Sequence, residues 1–144
     1  MEQNAVISIA GTQQFGMDEP ETIELVTQGH YHYEPGFAEI SYVETQMTGL
    51  EGTLTTFTIE GNVVTLTRTG PVRSEMRFAL GQPHDSLYDT GFAALLLRVC
   101  ATRLTVLLNE RGGIFDLDYD IEIEHTACGT NRYHIEVRKT TPGA

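Results

Sequence analysis

Cysteine is scarce in this sequence: the chain has 2 cysteines, Cys100 and Cys128, among 144 residues. Their spacing matches no metal-ligand motif, and two cysteines cannot build the disulfide framework of a small secreted domain. We therefore expect two reduced thiols and no structural metal.

Long apolar runs are also missing. No stretch reaches the roughly 18 apolar residues that a membrane-spanning helix requires. The opening, MEQNAVISIA, has neither the basic start nor the long apolar segment of a signal peptide. These absences predict a cytoplasmic protein without a membrane partner.

Basic residues are few. The chain carries 9 Lys and Arg against 20 Asp and Glu, which gives a net charge of −11. Such a surface repels phosphate groups, so we expect neither a nucleic acid nor an anionic membrane as a partner.

Helical periodicity is nearly absent, and short runs of alternating polar and apolar residues take its place. Gly, Pro and Asn separate these runs, for example at Pro35-Gly36 and Gly61-Asn62, which is typical of an all-β protein. With 40% hydrophobic residues the chain can build the core of one domain. We predict a single closed antiparallel β-barrel of about 8–10 strands over residues 1–144, with 140–144 as a frayed tail. A β-sandwich is the alternative.

One segment, GFAALLLRVCATRLTVLLNE, competes as a helix because it is long and rich in leucine. It has no capping box, however, and Val99, Thr102, Thr105 and Val106 are β-branched. We therefore predict two strands, FAALLLRVC and RLTVLLN, joined by a turn at Ala101-Thr102.

The stretch FDLDYDIEIE, residues 115–124, alternates carboxylates with large apolar side chains. Asp116, Asp118 and Asp120 match the start of a calcium loop, but the Gly and the Glu that this loop needs further on are missing. On a strand, successive carboxylates lie roughly 6.7 Å apart, which is too far to share one ion easily. We therefore expect a strand with one solvent-exposed face and one buried face, and not a metal site.

The carboxylates on the solvent-exposed face of this strand need oppositely charged partners from the next strand, RYHIEVRK. A turn centred near Ala127-Cys128 would place Glu124 opposite Arg132 and Glu122 opposite His134. The same pairing would direct the apolar residues of both strands inward.

Two histidines, His30 and His32, share one side of the strand ETIELVTQGHYHYE, a spacing that suits zinc or copper. No third ligand can be assigned, and Tyr31 and Tyr33 share the parity of Leu25. We therefore expect the tyrosines to point inward, the histidines to lie at the surface, and no bound metal or cofactor.

Two charged residues have the parity of the interior: Arg68 alternates in step with Leu66, and Glu44 in step with Tyr42. An unpaired charge in a core is costly. One hypothesis is an ion pair inside the barrel that anchors the lumen or a polar group of a ligand. The alternative is that both residues lie at strand ends near the barrel mouth, where water reaches them.

The common catalytic fingerprints are absent: the sequence has no G-x-S-x-G, no P-loop, no H-E-x-x-H and no Rossmann motif. We therefore expect no enzymatic activity and assign no catalytic residue.

The segment AALLLRV is apolar at both parities. If Leu95 and Leu97 line the interior, Leu96 lies outside, and the predicted turn then places Leu107 beside it. Adjacent exposed leucines suggest a homodimer contact, or a site that the N-terminal segment covers.

Several motifs in the second half of the chain resemble the YwiB-like family of small bacterial proteins, which is classed as a domain of unknown function: SLYDT, LLLRVCATRLTV, GIFDLDYDIEIE and NRYHIEV, in this order. TIELVTQGHYHYE, ISYVET and LTRTG extend the resemblance over nearly the whole chain. The resemblance implies a closed antiparallel barrel similar to the lipocalin-like, or calycin, group, with a lumen able to hold a small molecule. The family's YxTPYG motif appears here as YDTGFA, so its Pro and its Gly are replaced at that turn.

These patterns predict a protein that binds a small, partly apolar ligand in the barrel interior or mouth, without catalysis. The alternative is a homo-oligomeric interaction module whose barrel is filled by its own side chains. Aromatic rings offer apolar area and a hydroxyl group, and Arg68 would meet an acidic group of a ligand. The candidate ligand-binding residues are Tyr31, Tyr33, Tyr42, Glu44, Arg68, Phe78, Tyr88 and Tyr119, and the candidate interface residues are Leu96 and Leu107.

Overall fold

The fold is all-β, as predicted. The computed structural model describes residues 3–14, 19–46 and 50–140, and among these no helix is long and apolar enough to cross a membrane. The ten strands are β1 (Ala5–Gln14), β2 (Glu21–Glu34), β3 (Phe37–Val43), β4 (Leu54–Glu60), β5 (Val63–Thr69), β6 (Ser74–Phe78), β7 (Pro83–Asp89), β8 (Ala94–Asn109), β9 (Gly112–Ile123) and β10 (Thr126–Lys139).

Alternation decides which side chains form the core. Along β4, Phe57 and Ile59 are buried while Thr56 and Thr58 are partly exposed, because successive strand residues point to opposite faces. Two-residue turns with Gly36 at φ 84° and Gly61 at φ 58° join β2 to β3 and β4 to β5. Both turns are those predicted from the Pro-Gly and Gly-Asn pairs, and they fix the register of the strands that they connect.

All ten strands belong to one antiparallel sheet in the order β6-β5-β4-β3-β2-β1-β10-β9-β8-β7. The two end strands of this order, β6 and β7, meet and nearly close the sheet into a barrel. Two backbone hydrogen bonds of 2.8 Å join Arg73 and Asp89 at one end of this seam, and a bridge between Ala79 and Gln82 joins the other end. Between these bridges, residues 74–78 and 83–88, all within the described part, form no continuous ladder with each other.

The predicted turn at Ala101-Thr102 is wrong. β8 is one strand of 16 residues, with a β-bulge between Ala101 and Arg103. The extra residue of the bulge lets the strand bend without ending, and β9 follows it along almost its whole length. The preference for strand over helix in this segment is confirmed.

The predicted register of the acidic strand is also wrong. β9 and β10 turn at Glu124 and His125, which adopt positive φ angles of 50° and 67°, and not at Ala127-Cys128. Asp118 therefore lies opposite Arg132, and Asp116 opposite His134. The shift is an even number of residues, so the inward and outward faces remain as predicted: Phe115, Leu117 and Tyr119 are buried.

The interior is filled by its own side chains over much of the barrel. Phe57 is fully buried, and its ring centroid lies 5.6 Å from that of Phe115 and 5.9 Å from that of Tyr133. Cys100 and Cys128 are free thiols. At the C-terminal end, Thr140 donates hydrogen bonds from its backbone N and its Oγ1 to the Asn4 carbonyl, at 2.8 and 3.0 Å. The rest of the predicted frayed tail, residues 141–144, lies outside the described residues.

The stability of the protein is expected to depend on pH because of contacts that His134 makes on the outer face of β9 and β10. His134 Nδ1 lies 2.6 Å from Asp116 Oδ1, and Nε2 lies 3.2 Å from Glu136 Oε1. The hydrogen bond to Asp116, then that to Glu136, raises the pKa of His134 above 6.5. The stabilisation is therefore present below the unfolded-state pKa and is lost as the pH rises through the folded-state pKa. Because the pair is partly exposed, we expect a few tenths of a kcal/mol.

NMR titration of the imidazole measures this effect. In Asp116→Asn the pKa of His134 is expected to decrease toward its ordinary value, and stability near about pH 5.5 is expected to decrease more than stability near about pH 9. An unchanged histidine titration in Asp116→Asn would contradict the pairing.

Candidate functional site

One end of the barrel encloses a cavity of about 340 Å³. Its walls are apolar and come from strands on both sides of β1, because β1, β2, β8 and β9 all direct their inward residues into this end. Strand alternation alone explains this lining. The apolar wall residues are Ile9, Ile23, Leu25, Leu95, Leu97, Ile121 and Ile123.

The floor of the cavity is polar because of strand register. Tyr42 pairs with Thr55, Thr55 with Arg68, and Arg68 with Ser74, so one row of cross-strand neighbours crosses β3 to β6. All four side chains are buried. Side chains in such a row share a face and lie within contact reach of one another. This row, Tyr42-Thr55-Arg68-Ser74, is called the polar row below.

Seven buried side-chain polar atoms have no hydrogen-bond partner within the described residues. Three of them belong to residues that line the cavity: Arg68 Nε, Glu44 Oε1 and Asn131 Oδ1. Two more are the hydroxyl oxygens of Thr55 and Ser74 in the polar row. Folded proteins pair nearly all buried polar groups with protein atoms or with ordered water, so these atoms are available to water or to a bound molecule. The remaining two atoms are the hydroxyl oxygens of Thr53 and Ser86.

A second polar group faces the row from β9 and β10. Asn131 Nδ2 donates to the Tyr119 hydroxyl at 2.9 Å, and Arg68 Nη2 donates to the Tyr133 hydroxyl at a long 3.4 Å. The rings of Tyr119 and Tyr133 are stacked with centroids 6.3 Å apart, and Tyr119 packs on Phe78 at 4.6 Å. These contacts hold the phenol groups in place at the cavity floor.

Burial changes the acid-base properties of the floor. Burial raises the pKa of Glu44, and the positive charge of Arg68 opposes this shift without cancelling it. Burial acts to lower the pKa of Arg68, but Tyr133 and then Tyr119 outweigh it, so the pKa is raised. The guanidinium is therefore charged at every accessible pH, while Glu44 accepts a proton more readily than an exposed glutamate.

Glu44 and Arg68 are both buried, at 4% and 8% exposure, as their parity predicts. They are not among the ion pairs that the described residues form, which are the pairs of Arg73, Arg98, Arg132, His32 and His134. The ion pair of the first hypothesis is therefore not among them. Both residues line the cavity, but they are buried there rather than exposed to water as the alternative expected.

The structure brings five of the eight candidate ligand-binding residues to the cavity: Tyr42, Glu44, Arg68, Tyr88 and Tyr119.

The other three candidates lie elsewhere. Tyr31 is buried away from the cavity, and its hydroxyl donates to the Asn109 carbonyl at 2.6 Å. Tyr33 packs against the core at its margin, and Phe78 lies behind Tyr119. Alternation in the sequence distinguishes inside from outside, but it carries no information on height along the barrel axis.

Sequence reasoning missed Asn131 and the hydroxyls of Thr55 and Ser74. Asn131 lay outside the predicted strand RYHIEVRK, because the turn was placed about three residues too late, which shifts the cross-strand register by six residues. Thr55 and Ser74 share the parity of buried Phe57 and Met76, which was a usable signal.

The candidate interface residues are not neighbours, which corrects the prediction. Leu96 and Leu107 lie on the same strand, β8, where Leu96 pairs with Leu87 and Leu107 with Ile114. The reason is the missing turn at Ala101-Thr102. Leu96 is half-buried, while Leu107 is 67% exposed on the outer face.

The histidines of β2 lie as predicted on the outer side, and Tyr31 and Tyr33 point inward. His32 is exposed, its Nε2 lies 3.8 Å from Glu34 Oε1, and its ring packs edge-on against Phe37. Within the described ranges, no group of three or more His, Cys, Asp or Glu side chains is arranged to hold a metal ion.

Comparison with known proteins identifies two similarities. A family model described as "Domain of unknown function (DUF1934)" matches residues 7–135. The solved structure described as "Crystal structure of ywiB protein from Bacillus subtilis" is 19% identical, with a TM-score of 0.78, over 96% of this chain and 93% of that chain. No curated protein matches. At this identity the structural likeness shows the fold alone, which in this chain is a nearly closed antiparallel β-barrel.

Proposed function

We propose that this chain, which belongs to the DUF1934 family, binds a small, partly apolar molecule in the mouth of its barrel and does not catalyse a reaction. The family match agrees with the YwiB-like membership predicted from the sequence motifs. The observation that carries the proposal is the group of unpaired buried polar atoms at the floor of an apolar-walled cavity.

The size and chemistry of the cavity support this role. Ligand sites are typically concave and apolar, with a few polar groups that fix orientation. The volume of about 340 Å³ lies at the lower end of the roughly 300–1,000 Å³ of small-molecule sites. The proposed location is the cytoplasm, where Cys100 and Cys128 would remain reduced.

Blocking the cavity tests the proposal. Ile123 lines the mouth and is half-buried, so Ile123→Trp places a large ring in the opening. We expect this variant to lose affinity for 1-octanol by about tenfold or more, equivalent to about 1.4 kcal/mol, in isothermal titration calorimetry. The matched control is Leu107→Trp, which adds the same ring on the outer face and is expected to bind as the unmodified protein does.

Native mass spectrometry of freshly purified protein provides an independent measurement. A retained small molecule that is present in the unmodified chain and lost in Ile123→Trp supports the proposal. A dimer without any retained molecule, and without octanol binding, would instead favour the second candidate function. That candidate is a self-associating module, for which the exposed Leu107 and the exposed Leu87 beside Leu96 are the supporting observations.

A further inference from the structure

We infer that the molecule bound in the barrel mouth is a monoanion, a carboxylate on a short apolar body, and that it enters with its acidic group toward Arg68. This inference rests on the proposed function and specifies the ligand class for the same cavity.

Arg68 carries the inference. Its side chain is 8% exposed, its Nε has no partner within the described residues, and its Nη2 makes only the long contact with Tyr133. Its charge acts on the buried carboxyl group of Glu44, but the two residues form no ion pair, and a buried guanidinium without a paired carboxylate is costly. A carboxylate can accept two parallel hydrogen bonds from one edge of a guanidinium, which would satisfy Nε and one terminal nitrogen together.

The hydroxyl groups beside Arg68 fit the same anion. Thr55 and Ser74 are its cross-strand neighbours on either side. The Ser74 hydroxyl has no partner among the described residues, while the Thr55 hydroxyl lies close enough to Glu44 to act on the pKa of that carboxyl group. A hydroxyl group rotates to donate a hydrogen bond to whichever acceptor lies beside it. Of the polar row, Tyr42 and Arg68 line the cavity, and the Thr55 and Ser74 hydroxyls lie beside the guanidinium on its two neighbouring strands.

The other charged groups that line the cavity do not change the preference for an anionic ligand. Glu21 and Arg132 line the cavity from exposed positions, and Arg132 is paired with Asp118 at 3.7 Å. Among the described lining residues, Glu44 is the one buried acid, and its raised pKa makes it easier to neutralise when an anion approaches. Arg68 is the one buried cation among the same described residues, and one positive charge matches a monoanion better than a phosphate dianion.

The apolar walls define the rest of the ligand. Above the floor, isoleucine and leucine side chains from β1, β2, β8 and β9 line the cavity up to its opening. An apolar body is stabilised there by about 25 cal/mol for each Å² removed from water. A volume at the lower end of the range for ligand sites suits a carboxylic acid with a short apolar chain.

Three probes of equal chain length test the inference: octanoate, 1-octanol and octylamine. Isothermal titration calorimetry at neutral pH is expected to show octanoate binding about tenfold tighter than 1-octanol. In Arg68→Met, octanoate is expected to lose about tenfold or more in affinity, while 1-octanol keeps its affinity. Arg138→Met is the matched control, because it removes the same charge from an exposed position outside the cavity lining, and we expect less than about a twofold change.

Each other outcome has a defined meaning. Equal affinities for octanoate and 1-octanol, unchanged in Arg68→Met, would overturn the acidic ligand and leave the proposed function intact. Tightest binding of octylamine would also overturn it, because Glu44 would then dominate the floor. Failure of all three probes to bind would overturn the proposed function itself.

A second variant keeps the inference testable if Arg68→Met does not fold. Glu44→Gln removes the buried negative charge and keeps the side-chain shape, so octanoate is expected to bind several-fold tighter and 1-octanol equally well. Weaker octanoate binding in Glu44→Gln would overturn the inference.

Discussion

Replacing Gly113 by alanine is expected to destabilise the protein by about 3 kcal/mol or more. Gly113 has a φ of 139°, a conformation that residues with a Cβ rarely adopt, and a Cβ built there would lie 2.0 Å from the Leu107 carbonyl oxygen. That oxygen belongs to the neighbouring backbone, so a side-chain rotation cannot relieve the clash. Urea unfolding, monitored by circular dichroism, measures the change.

Gly36→Ala is the matched control. Gly36 also has a positive φ, of 84°, but a Cβ there would meet nothing within 4 Å. Only the conformational cost remains, so we expect about 1 kcal/mol. Equal destabilisation in the two variants would show that the close approach of β8 to β9 at Gly113 is not a constraint on the fold.

Phe57→Ala is expected to cost about 3–5 kcal/mol, which is a large part of the stability of a domain of this size. The ring of Phe57 is fully buried and contacts rings on the opposite wall, those of Phe115 and Tyr133. Its removal leaves a cavity in the filled part of the barrel. Thermal unfolding by differential scanning calorimetry measures the loss.

Phe92→Ala is the control with the same chemical change at the surface. Phe92 is 100% exposed at the turn between β7 and β8, so its removal is expected to alter stability by less than about 0.5 kcal/mol. A comparable loss in Phe57→Ala and Phe92→Ala would contradict the packing of β4 against β9 and β10.

Much of the fold could be predicted from the sequence because the side-chain period of a strand is two. The bounds of β2 coincide with the predicted segment ETIELVTQGHYHYE, and its tyrosines and histidines lie on the predicted sides. The Pro35-Gly36 and Gly61-Asn62 turns were also predictable, since glycine there adopts the positive φ that a tight turn needs.

The errors have an equally physical origin. The turn at Glu124 and His125 contains neither Gly nor Asn, while Gly129, which did suggest a turn, lies at the bulge of β10. At Ala101-Thr102 a bulge was mistaken for a hairpin, because both features interrupt alternation in the same way. Local sequence does not distinguish a strand that bends from a strand that reverses.

The candidate site was predictable in kind but not in position. Parity identified Glu44 and Arg68 as inward charges, and both line the cavity. Parity also selected Tyr31, which lies at another level of the barrel. The register of the strands determines the level along the barrel axis at which a side chain lies. Register depends on turns that are distributed over the whole chain. The polar row could therefore be recognised only once β3 to β6 were aligned.

The seam between β6 and β7 gives the barrel a line of weakness parallel to its strands. Every other neighbouring pair of strands forms a ladder of at least five residue pairs. Within the described residues, β6 and β7 are joined by the bridges Arg73-Asp89 and Ala79-Gln82 and by one hydrogen bond of 3.3 Å from the Arg77 backbone N to His84 Nδ1. Strands β6 and β7 can therefore separate locally while the hydrogen-bonded ladders between the other strands stay intact. We expect local opening of the barrel to be most frequent between β6 and β7, beside Ser74 on β6 and Ser86 on β7.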